Sequence, residues 1–265
     1  GEPGTGKSML SELLAAAISG DSKNTIQGTS GTSEDMIKYS WNFPLLFADG
    51  PSDDSIIPSP LMIGMKNGCL TRVEEITRCA SEIQDAFISM MSDKVLIIPE
   101  FKEDNVIYAK RGFNVIATAN IRDKGVNDMS SALKRRFNFE TIFPVNSLSL
   151  ELKIIEQESK RYLEDLDIFV PFNAKLAEVL ATTFVELREG KSADGAAVEP
   201  LDAVMSTAEA VSVYIQTALS GHYYSNGQLK VSDLVQNIYS TLVKENPKNG
   251  KAFKSYINTI ARKKS

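Results

Sequence analysis

The first residues of the chain place glycines, a lysine and a serine at a spacing that suits phosphate binding. Residues 1–8 read Gly-Glu-Pro-Gly-Thr-Gly-Lys-Ser and match G-x-x-x-x-G-K-[ST] at every fixed position. Glycines let the backbone wrap around phosphates, and N–H groups at a helix N-terminus attract anions. The pattern predicts that Lys7 reaches the β- and γ-phosphates of ATP and that the Ser8 hydroxyl binds Mg²⁺. The predicted nucleotide-binding residues are Gly1, Glu2, Pro3, Gly4, Thr5, Gly6, Lys7, Ser8 and Met9.

A pair of acidic residues, Glu74 and Glu75, follows a predicted strand over residues 69–73. Strands in a phosphate-loop fold deliver carboxylates to the metal and to the attacking water. We therefore expect Glu74 in the Mg²⁺ shell and Glu75 as the group that orients or deprotonates water. Adjacent acids are also common at helix N-termini, where they complement the helix dipole.

Three further residues extend this group. Asn120 follows a predicted strand over residues 113–118 and could hold the same water from the other side. Arg135 and Arg136 end a predicted short helix and could act as an arginine finger on a neighbouring subunit's γ-phosphate. Each residue alone has an ordinary explanation, as a turn or a solvated surface. Their order behind the phosphate loop favours the functional interpretation.

The elements that would position these residues alternate along the first half of the chain. Leu10, Leu13, Leu14, Ala17 and Ile18 have helical spacing, which argues against a chance match of the loop. Such a loop also needs a strand before it, so we expect the native chain to be longer. Strands are predicted at 24–27, 69–73, 95–98, 106–108, 113–118 and 138–143, and helices at 34–49, 60–66, 80–91 and 130–136. Residues 95–108 read as a hairpin with a turn at 102–105, and residues 49–59 as an exposed loop.

Beyond Pro144 every predicted element is a helix, at 150–166, 176–187, 206–219, 231–243 and 252–261. Ser206 and Glu209 have the spacing of a capping box. The predicted fold is an α/β P-loop NTPase with a central, mostly parallel sheet covered on both faces, followed by an all-α domain. We expect the nucleotide-binding domain at residues 1–146 and the helical domain at 147–265.

Composition narrows the class of protein. The 265 residues carry a formal net charge of −5, which argues against a general nucleic-acid binder. Cys69, Cys79 and the single histidine, His222, form no metal-binding pattern and suit a reducing compartment. No apolar run approaches the ~18 residues that span a bilayer, and no signal peptide is visible. We expect a cytoplasmic protein without a membrane partner.

Taken together, these motifs resemble the MoxR-type AAA+ ATPases, the branch with an insertion in its second helix. The resemblance covers residues 1–145 and rests on residues 1–8, 26–29, 33–35, 58–61, Gly64, Gly68, 75–79, 82–86, 113–120 and 132–137. The helical remainder resembles the lid of that family in layout more than in motif.

The resemblance implies a ring-forming ATPase, a homo-oligomer of hexameric form with ATP bound between subunits. It implies that Asn120 is the sensor-1 residue and that Arg136, or Arg135, is the finger. Family members act as chaperone-like factors that remodel a protein client, often with a partner carrying a von Willebrand factor A domain. The hairpin at residues 95–108 falls where this branch carries its pre-sensor insertion.

Two departures from the family pattern stand out. The family carries Asp where this chain has Glu74, and Arg72 lies in an unusually polar strand before it. Because side chains alternate along a strand, Arg72 and Glu74 should share a face and pair, or Arg72 should lie near the phosphates. In the lid, Ala208 stands where the family has an arginine, and Arg161 or Arg188 could substitute for it.

Three functions remain open at this point. The leading one is an ATPase that remodels protein clients. The second is a nucleotide-gated scaffold that binds ATP and oligomerises with little turnover, which Glu74 and Ala208 favour. The third, a small-molecule P-loop kinase, lacks a visible acceptor site and does not account for Asn120 together with the two arginines.

Overall fold

The computed structural model describes residues 1–102, 105–120, 127–192, 194–199, 201 and 205–259. The chain divides into two compact units: Gly1 with Gly6–Ile142, and Glu2–Thr5 with Phe143–Ser265. The strands are β1 Thr25–Gln27, β2 Tyr39–Trp41, β3 Ile56–Pro58, β4 Leu70–Glu74, β5 Val95–Ile97, β6 Val106–Tyr108 and β7 Asn114–Ala117. The helices of the first unit are α1 Lys7–Ser19, α2 Glu34–Ile37, α3 Phe43–Asp49, α4 Pro60–Asn67, α5 Ser81–Ser92 and α6 Ser131–Lys134. Those of the second are α7 Leu148–Asp165, α8 Ala174–Glu189, α9 Thr207–Tyr224, α10 Val231–Glu245 and α11 Asn249–Thr259.

The central sheet of the first unit has the strand order β1-β4-β7, and both pairings are parallel. The register places Gln27 beside Glu74 and Val73 beside Ala117, so the three strands end at one edge. The predicted parallel sheet is confirmed. Because parallel strands end together, the residues after β4 and β7 must meet at this edge.

Strand β4 is covered on both faces, as the sequence predicted. On one face, Thr71 Oγ1 donates to the Pro60 carbonyl oxygen of α4 at 3.2 Å. On the other, Arg72 Nε donates to Ser11 Oγ of α1 at 3.2 Å. Since neighbouring residues of a strand point to opposite faces, α4 and α1 lie on opposite sides of β4.

Helix α1 begins directly after the phosphate loop, as predicted, but its regularly spaced apolar residues are not its buried ones. Leu10, Leu13, Leu14 and Ile18 are exposed by 40 to 65%, whereas Ser11 and Ala15 are the buried residues. The physical reason lies in β4, whose face toward α1 carries Arg72 and Glu74. A polar face of the helix meets those charged groups, and the leucines point away from them.

Three further expectations of secondary structure are wrong: the helix at 34–49, the loop at 49–59 and the strand at 138–143. The predicted helix at 34–49 is divided by β2, which pairs antiparallel with β3 inside the predicted loop at 49–59. This pairing joins residues too far apart in the sequence for local periodicity to predict it. Within β2, the aromatic rings of Tyr39 and Trp41 pack edge to face with their centroids 5.7 Å apart. Residues 138–143 form no strand, and none of the described strands pairs with them.

The hairpin of β5 and β6 is confirmed, with Leu96 opposite Ile107. Part of its predicted turn, and the end of the predicted helix at 252–261, lie outside the described residues.

The second unit contains helices α7 to α11 around a core that includes Phe184, Tyr214 and Leu234. The predicted capping box is confirmed: Glu209 N–H donates to Ser206 Oγ at 3.3 Å, and Ser206 N–H donates to Glu209 Oε2 at 2.9 Å. None of the helices in the described part of the chain is both long and apolar enough to cross a membrane.

Candidate active site

The phosphate loop leads into α1 through a left-handed turn. Gly6 has a φ of 84° and Gly4 a φ of 70°, conformations that glycine adopts at no steric cost. Lys7 Nζ donates to the Gly1 carbonyl oxygen at 3.4 Å, so the lysine folds back over the loop. Ser8 and Met9 follow in the first turn of α1, and both are exposed.

The Glu74 carboxylate is buried and accepts a full set of hydrogen bonds. Its Oε2 accepts from Ser8 Oγ at 2.7 Å and from Thr118 Oγ1 at 2.6 Å. Its Oε1 accepts from Ser11 Oγ at 2.5 Å and from Arg72 Nη2 at 2.9 Å. Burial alone would raise the pKa of Glu74, but these hydrogen bonds outweigh burial and the net shift is downward. The carboxylate is therefore held in its charged form.

The predicted pairing of Arg72 with Glu74 is confirmed by a salt bridge of 2.9 Å between side chains that are 10% and 8% exposed. Both residues lie on the face of β4 that meets α1. Their charges compensate each other, which is the condition for burying either of them.

Glu75 leaves the strand in an unusual conformation. Its φ of 55° and ψ of 45° are left-handed, which costs a residue with a Cβ on the order of 1 to 3 kcal/mol. Asn120 Nδ2 donates to Glu75 Oε1 at 2.7 Å, and Arg78 Nε lies 3.7 Å from Glu75 Oε2. The structure thus brings Glu75 and Asn120 together, and the surrounding chain holds the carboxylate in a strained position.

Gly28 supports this turn from the end of β1. Its N–H donates to the Glu74 carbonyl oxygen at 2.7 Å. A Cβ at position 28 would lie 2.4 Å from the Glu75 carbonyl oxygen, so any larger residue would displace the backbone of the acidic pair.

The paired arginines behave differently from each other. Arg136 turns back onto its own unit, where Nε donates to Ser92 Oγ at 2.7 Å and Nη1 donates to the Ala132 carbonyl oxygen at 2.8 Å. Arg135 is exposed, and its side chain has no hydrogen bond or ion pair with the residues that the structure describes.

The residues present suit Mg²⁺, which prefers oxygen ligands and is commonly held by one or two carboxylates and by substrate phosphates. Ser8 Oγ and the Glu74 carboxylate supply such oxygens beside the phosphate loop. Across the described ranges, no cluster of three or more His, Cys, Asp or Glu side chains could hold a metal without a substrate.

Two residues of this network were missed at the level of sequence. Ser11 lies one helical turn beyond Ser8, and a serine among the leucines of α1 was the available signal. Thr118 donates its hydroxyl proton to Glu74 and accepts the Glu75 N–H at 3.1 Å, so one side chain orders both acids. Thr118 follows β7, and only the pairing of β7 with β4 brings its hydroxyl to the two acids, so no local signal in the sequence identified it.

In the second unit, the two arginines considered as lid cations are both engaged. Arg188 Nη2 contacts Glu151 Oε1 at 3.2 Å and the Met205 carbonyl oxygen at 2.6 Å, and Nη1 contacts the Val145 carbonyl oxygen at 3.1 Å. Arg161 pairs with Glu158 on the surface of α7 at 2.6 Å. These contacts are internal to the unit and give Arg188 a structural role.

Comparison with known proteins matches residues 1–137 to the AAA domain of the dynein-related subfamily. Residues 149–265 match the YehL-like AAA+ ATPase C-terminal domain. A relative from Escherichia coli (strain K12), described as "Uncharacterized protein YehL", is 46% identical over 257 residues, or 97% of this chain and 71% of the relative.

Two solved structures share the fold. NtrX from Brucella abortus has a TM-score of 0.57 at 11% identity, over 88% of this chain and 47% of that chain; in complex with ADP, NtrX has a TM-score of 0.53. The RuvB Holliday junction branch migration motor of Thermotoga maritima has a TM-score of 0.50 at 16% identity, over 91% of this chain and 59% of that chain. This chain therefore spans less than two thirds of either protein. The predicted P-loop fold is confirmed, and the chain belongs to the AAA+ ATPases, with a dynein-related AAA domain and a YehL-like C-terminal domain.

Proposed function

We propose that the chain binds ATP with Mg²⁺ and hydrolyses it at the carboxyl ends of β4 and β7. The observation that carries this proposal is the 2.7 Å hydrogen bond between Asn120 Nδ2 and Glu75 Oε1, at the residue next to Glu74, whose carboxylate accepts from Ser8 Oγ. A carboxylate and an amide in contact can position one water molecule between them and an incoming phosphate. Membership of the AAA+ ATPases supports the nucleotide as the ligand.

Each residue of the site has a separate role in the proposed reaction. Residues 1–9 hold the phosphates, and Lys7 reaches the β- and γ-phosphate oxygens. Ser8 and Glu74 would hold Mg²⁺, which supplies positive charge to the phosphate oxygens when it is bound. Glu75 accepts the proton of the attacking water, and Asn120 orients that water.

An arginine from a neighbouring subunit completes the site in this proposal, and Arg135 is the better finger of the two. Arg136 is held by Ser92 and Ala132 of its own unit, whereas the Arg135 side chain is exposed and unengaged among the described residues. Both arginines are exposed, but Arg135 can reach another subunit without breaking a contact to the described residues of its own. The assembly is a homo-oligomer, a hexameric ring by resemblance to the family.

We further propose that the chain belongs to the MoxR-type branch and that it remodels a protein client in the cytoplasm in the manner of a chaperone. Support comes from the motifs at residues 26–29 and 75–86, and from the β5–β6 hairpin, where that branch carries its pre-sensor insertion. A partner with a von Willebrand factor A domain fits the same branch. Residues 1–146 and 147–265 are the proposed nucleotide and lid domains.

Steady-state phosphate release by wild type, Glu75→Gln and Lys7→Ala tests the reaction. Glu75→Gln should lower turnover about 100-fold or more while ATP affinity is retained, because only the proton acceptor is lost. Lys7→Ala should weaken ATP binding itself. A wild type that binds ATP and assembles, yet releases no more phosphate than Glu75→Gln, would identify the chain as a nucleotide-gated scaffold instead.

Native mass with and without ATP tests the assembly. Mass should increase with ATP, and Arg135→Ala should still assemble but lose turnover. A chain that stays monomeric at every concentration contradicts a finger that acts on a neighbouring subunit. Loss of turnover in Arg136→Ala but not in Arg135→Ala would exchange the two assignments.

A further inference from the structure

Strand β4 carries charged residues where a central parallel strand is ordinarily apolar. All five of its residues are buried, yet Arg72 and Glu74 are among them, at 8% and 6% exposure. Burying an arginine and a glutamate costs free energy unless both are paired and hydrogen-bonded. A hydrophobic pair would often serve stability equally well, so stability alone does not account for this arrangement.

Arg72 contacts the first turn of α1 and the segment between α1 and β1. Its Nη1 donates to the carbonyl oxygen of Ser22, beyond the C-terminus of the helix, at 2.9 Å. Its Nη2 lies 3.4 Å from the carbonyl oxygen of Ser8, in the first turn. The planar guanidinium presents its donors in a fixed fork, so one side chain joins the first turn of α1 to the segment that leads into β1.

Ser11 connects Arg72 to Glu74. Its hydroxyl carries one proton and lies 2.5 Å from Glu74 Oε1 and 2.8 Å from the Ser8 carbonyl oxygen. The charged carboxylate is the stronger acceptor, so the proton is donated to Glu74. Arg72 Nε in turn donates to Ser11 Oγ at 3.2 Å, which makes the hydroxyl a relay between the two charges.

The length of Glu74 fits this relay. Its Oε1 accepts from Ser11 and Arg72, and this leaves Oε2 directed at the Ser8 hydroxyl at 2.7 Å. Rotation of the carboxylate would break contacts on both oxygens at once. The contacts of Ser11 and Arg72 with Oε1 therefore fix the direction in which Oε2 points toward Ser8.

We propose that Arg72 and Ser11 are positioning residues of the Mg²⁺–nucleotide site: they hold the Glu74 carboxylate in the orientation that lets Ser8 and Glu74 bind the metal together. This inference rests on the proposed ATP-binding function. Neither residue contacts the nucleotide in this scheme. Their loss changes what Mg²⁺ adds to nucleotide binding and leaves binding without the metal in place.

The test measures the dissociation constant of ADP in Mg²⁺ and in EDTA for wild type, Arg72→Met and Ser11→Ala. Arg161→Met is the matched control, because Arg161 is exposed and pairs with Glu158 outside the network. Methionine keeps an unbranched apolar stem of similar reach but no charge. Thermal unfolding of each variant checks that it is folded.

The gain in ADP affinity on adding Mg²⁺ should fall about tenfold in Arg72→Met, as expected for a lost hydrogen bond to a charged group. The dissociation constant in EDTA should stay within about twofold of wild type, and Arg161→Met should match wild type in both buffers. Ser11→Ala keeps both charges, so its loss should be smaller, about threefold. If Arg72→Met does not fold, Ser11→Ala alone tests the proposal.

Two results would overturn the assignment. An unchanged Mg²⁺ gain in both variants would show that the network does not serve the metal. Equal weakening in Mg²⁺ and in EDTA would show that Arg72 only holds α1 in place. A wild type that binds ADP in neither buffer would instead remove the proposed function, and this inference with it.

Discussion

The buried pair of Arg188 and Glu151 gives a quantitative prediction for the second unit. Glu151 is completely buried, and its Oε2 has no hydrogen-bond partner among the described residues. Arg188 contacts Oε1 at 3.2 Å and also donates to the carbonyl oxygens of Val145 and Met205. Arg188→Met would leave a buried carboxylate without its counter-charge and two carbonyl groups without a donor. Breaking such a pair by removing one partner costs about 3 to 5 kcal/mol.

The double variant separates charge from packing. Arg188→Met combined with Glu151→Gln leaves no buried charge, so we expect it to be about 2 kcal/mol more stable than Arg188→Met alone. Arg161→Met removes an exposed arginine from α7 and should change stability by less than about 0.5 kcal/mol.

Urea unfolding at neutral pH measures these differences, and hydrogen exchange of α7 and α9 peptides locates them. The peptide readout is needed because two compact units need not unfold in one transition. A loss of less than about 1 kcal/mol in Arg188→Met, or a double variant no more stable than Arg188→Met, would contradict the role of a buried counter-charge.

Three further predictions concern Glu151, Gly28 and Glu74. Burial raises the pKa of Glu151 above its ordinary value of 4.5, and Arg188 and Thr207 offset only part of this, so the folded protein binds more protons than the unfolded chain. The stability of the protein should therefore decline as pH rises from 4.5 through the pKa of Glu151 in the folded state. Urea unfolding at pH 4.5 to 8 should show this decline in wild type and a weaker decline in Glu151→Gln. Parallel plots of stability against pH for the two proteins would contradict the prediction. Gly28→Ala would place a Cβ 2.4 Å from the Glu75 carbonyl oxygen, so it should cost about 1 to 3 kcal/mol in thermal unfolding and also lower ATP turnover. Glu74→Asp shortens the side chain by one methylene, so the carboxylate cannot keep all four of its hydrogen bonds. Phosphate release should therefore fall about tenfold, even though Asp is the usual residue at this position in the family that the chain resembles. Turnover equal to wild type would show that the extra methylene of Glu74 has no role.

Local sequence patterns predicted the parts of the molecule that depend on local geometry. The loop before α1, the strand before Glu74 and the strand before Asn120 were each readable, and parallel strands bring their ends together. Side-chain alternation along β4 was enough to predict the pairing of Arg72 with Glu74, which the structure confirms at 2.9 Å. The capping box of Ser206 and Glu209 was similarly local.

Long-range contacts decided what the sequence could not predict. Strands β2 and β3 stabilise each other by hydrogen bonds across a long connection, and neither segment alternates strongly enough to be read alone. The apolar spacing of α1 predicts a helix but not which face is buried, because the charges on β4 select the face that carries Ser11. Thr118 was missed for the same reason, since its role exists only once β7 lies beside β4.

The outward face of α1 has a practical consequence for experiments on assembly. Leu10, Leu13, Leu14 and Ile18 present a contiguous stripe of hydrocarbon to solvent. Such a stripe favours nonspecific aggregation, which increases on warming and in salting-out salts. We expect this aggregation to be independent of nucleotide. In a sizing experiment, a mass that grows equally with and without ATP is therefore no support for the proposed ring, and only an ATP-dependent increase supports it.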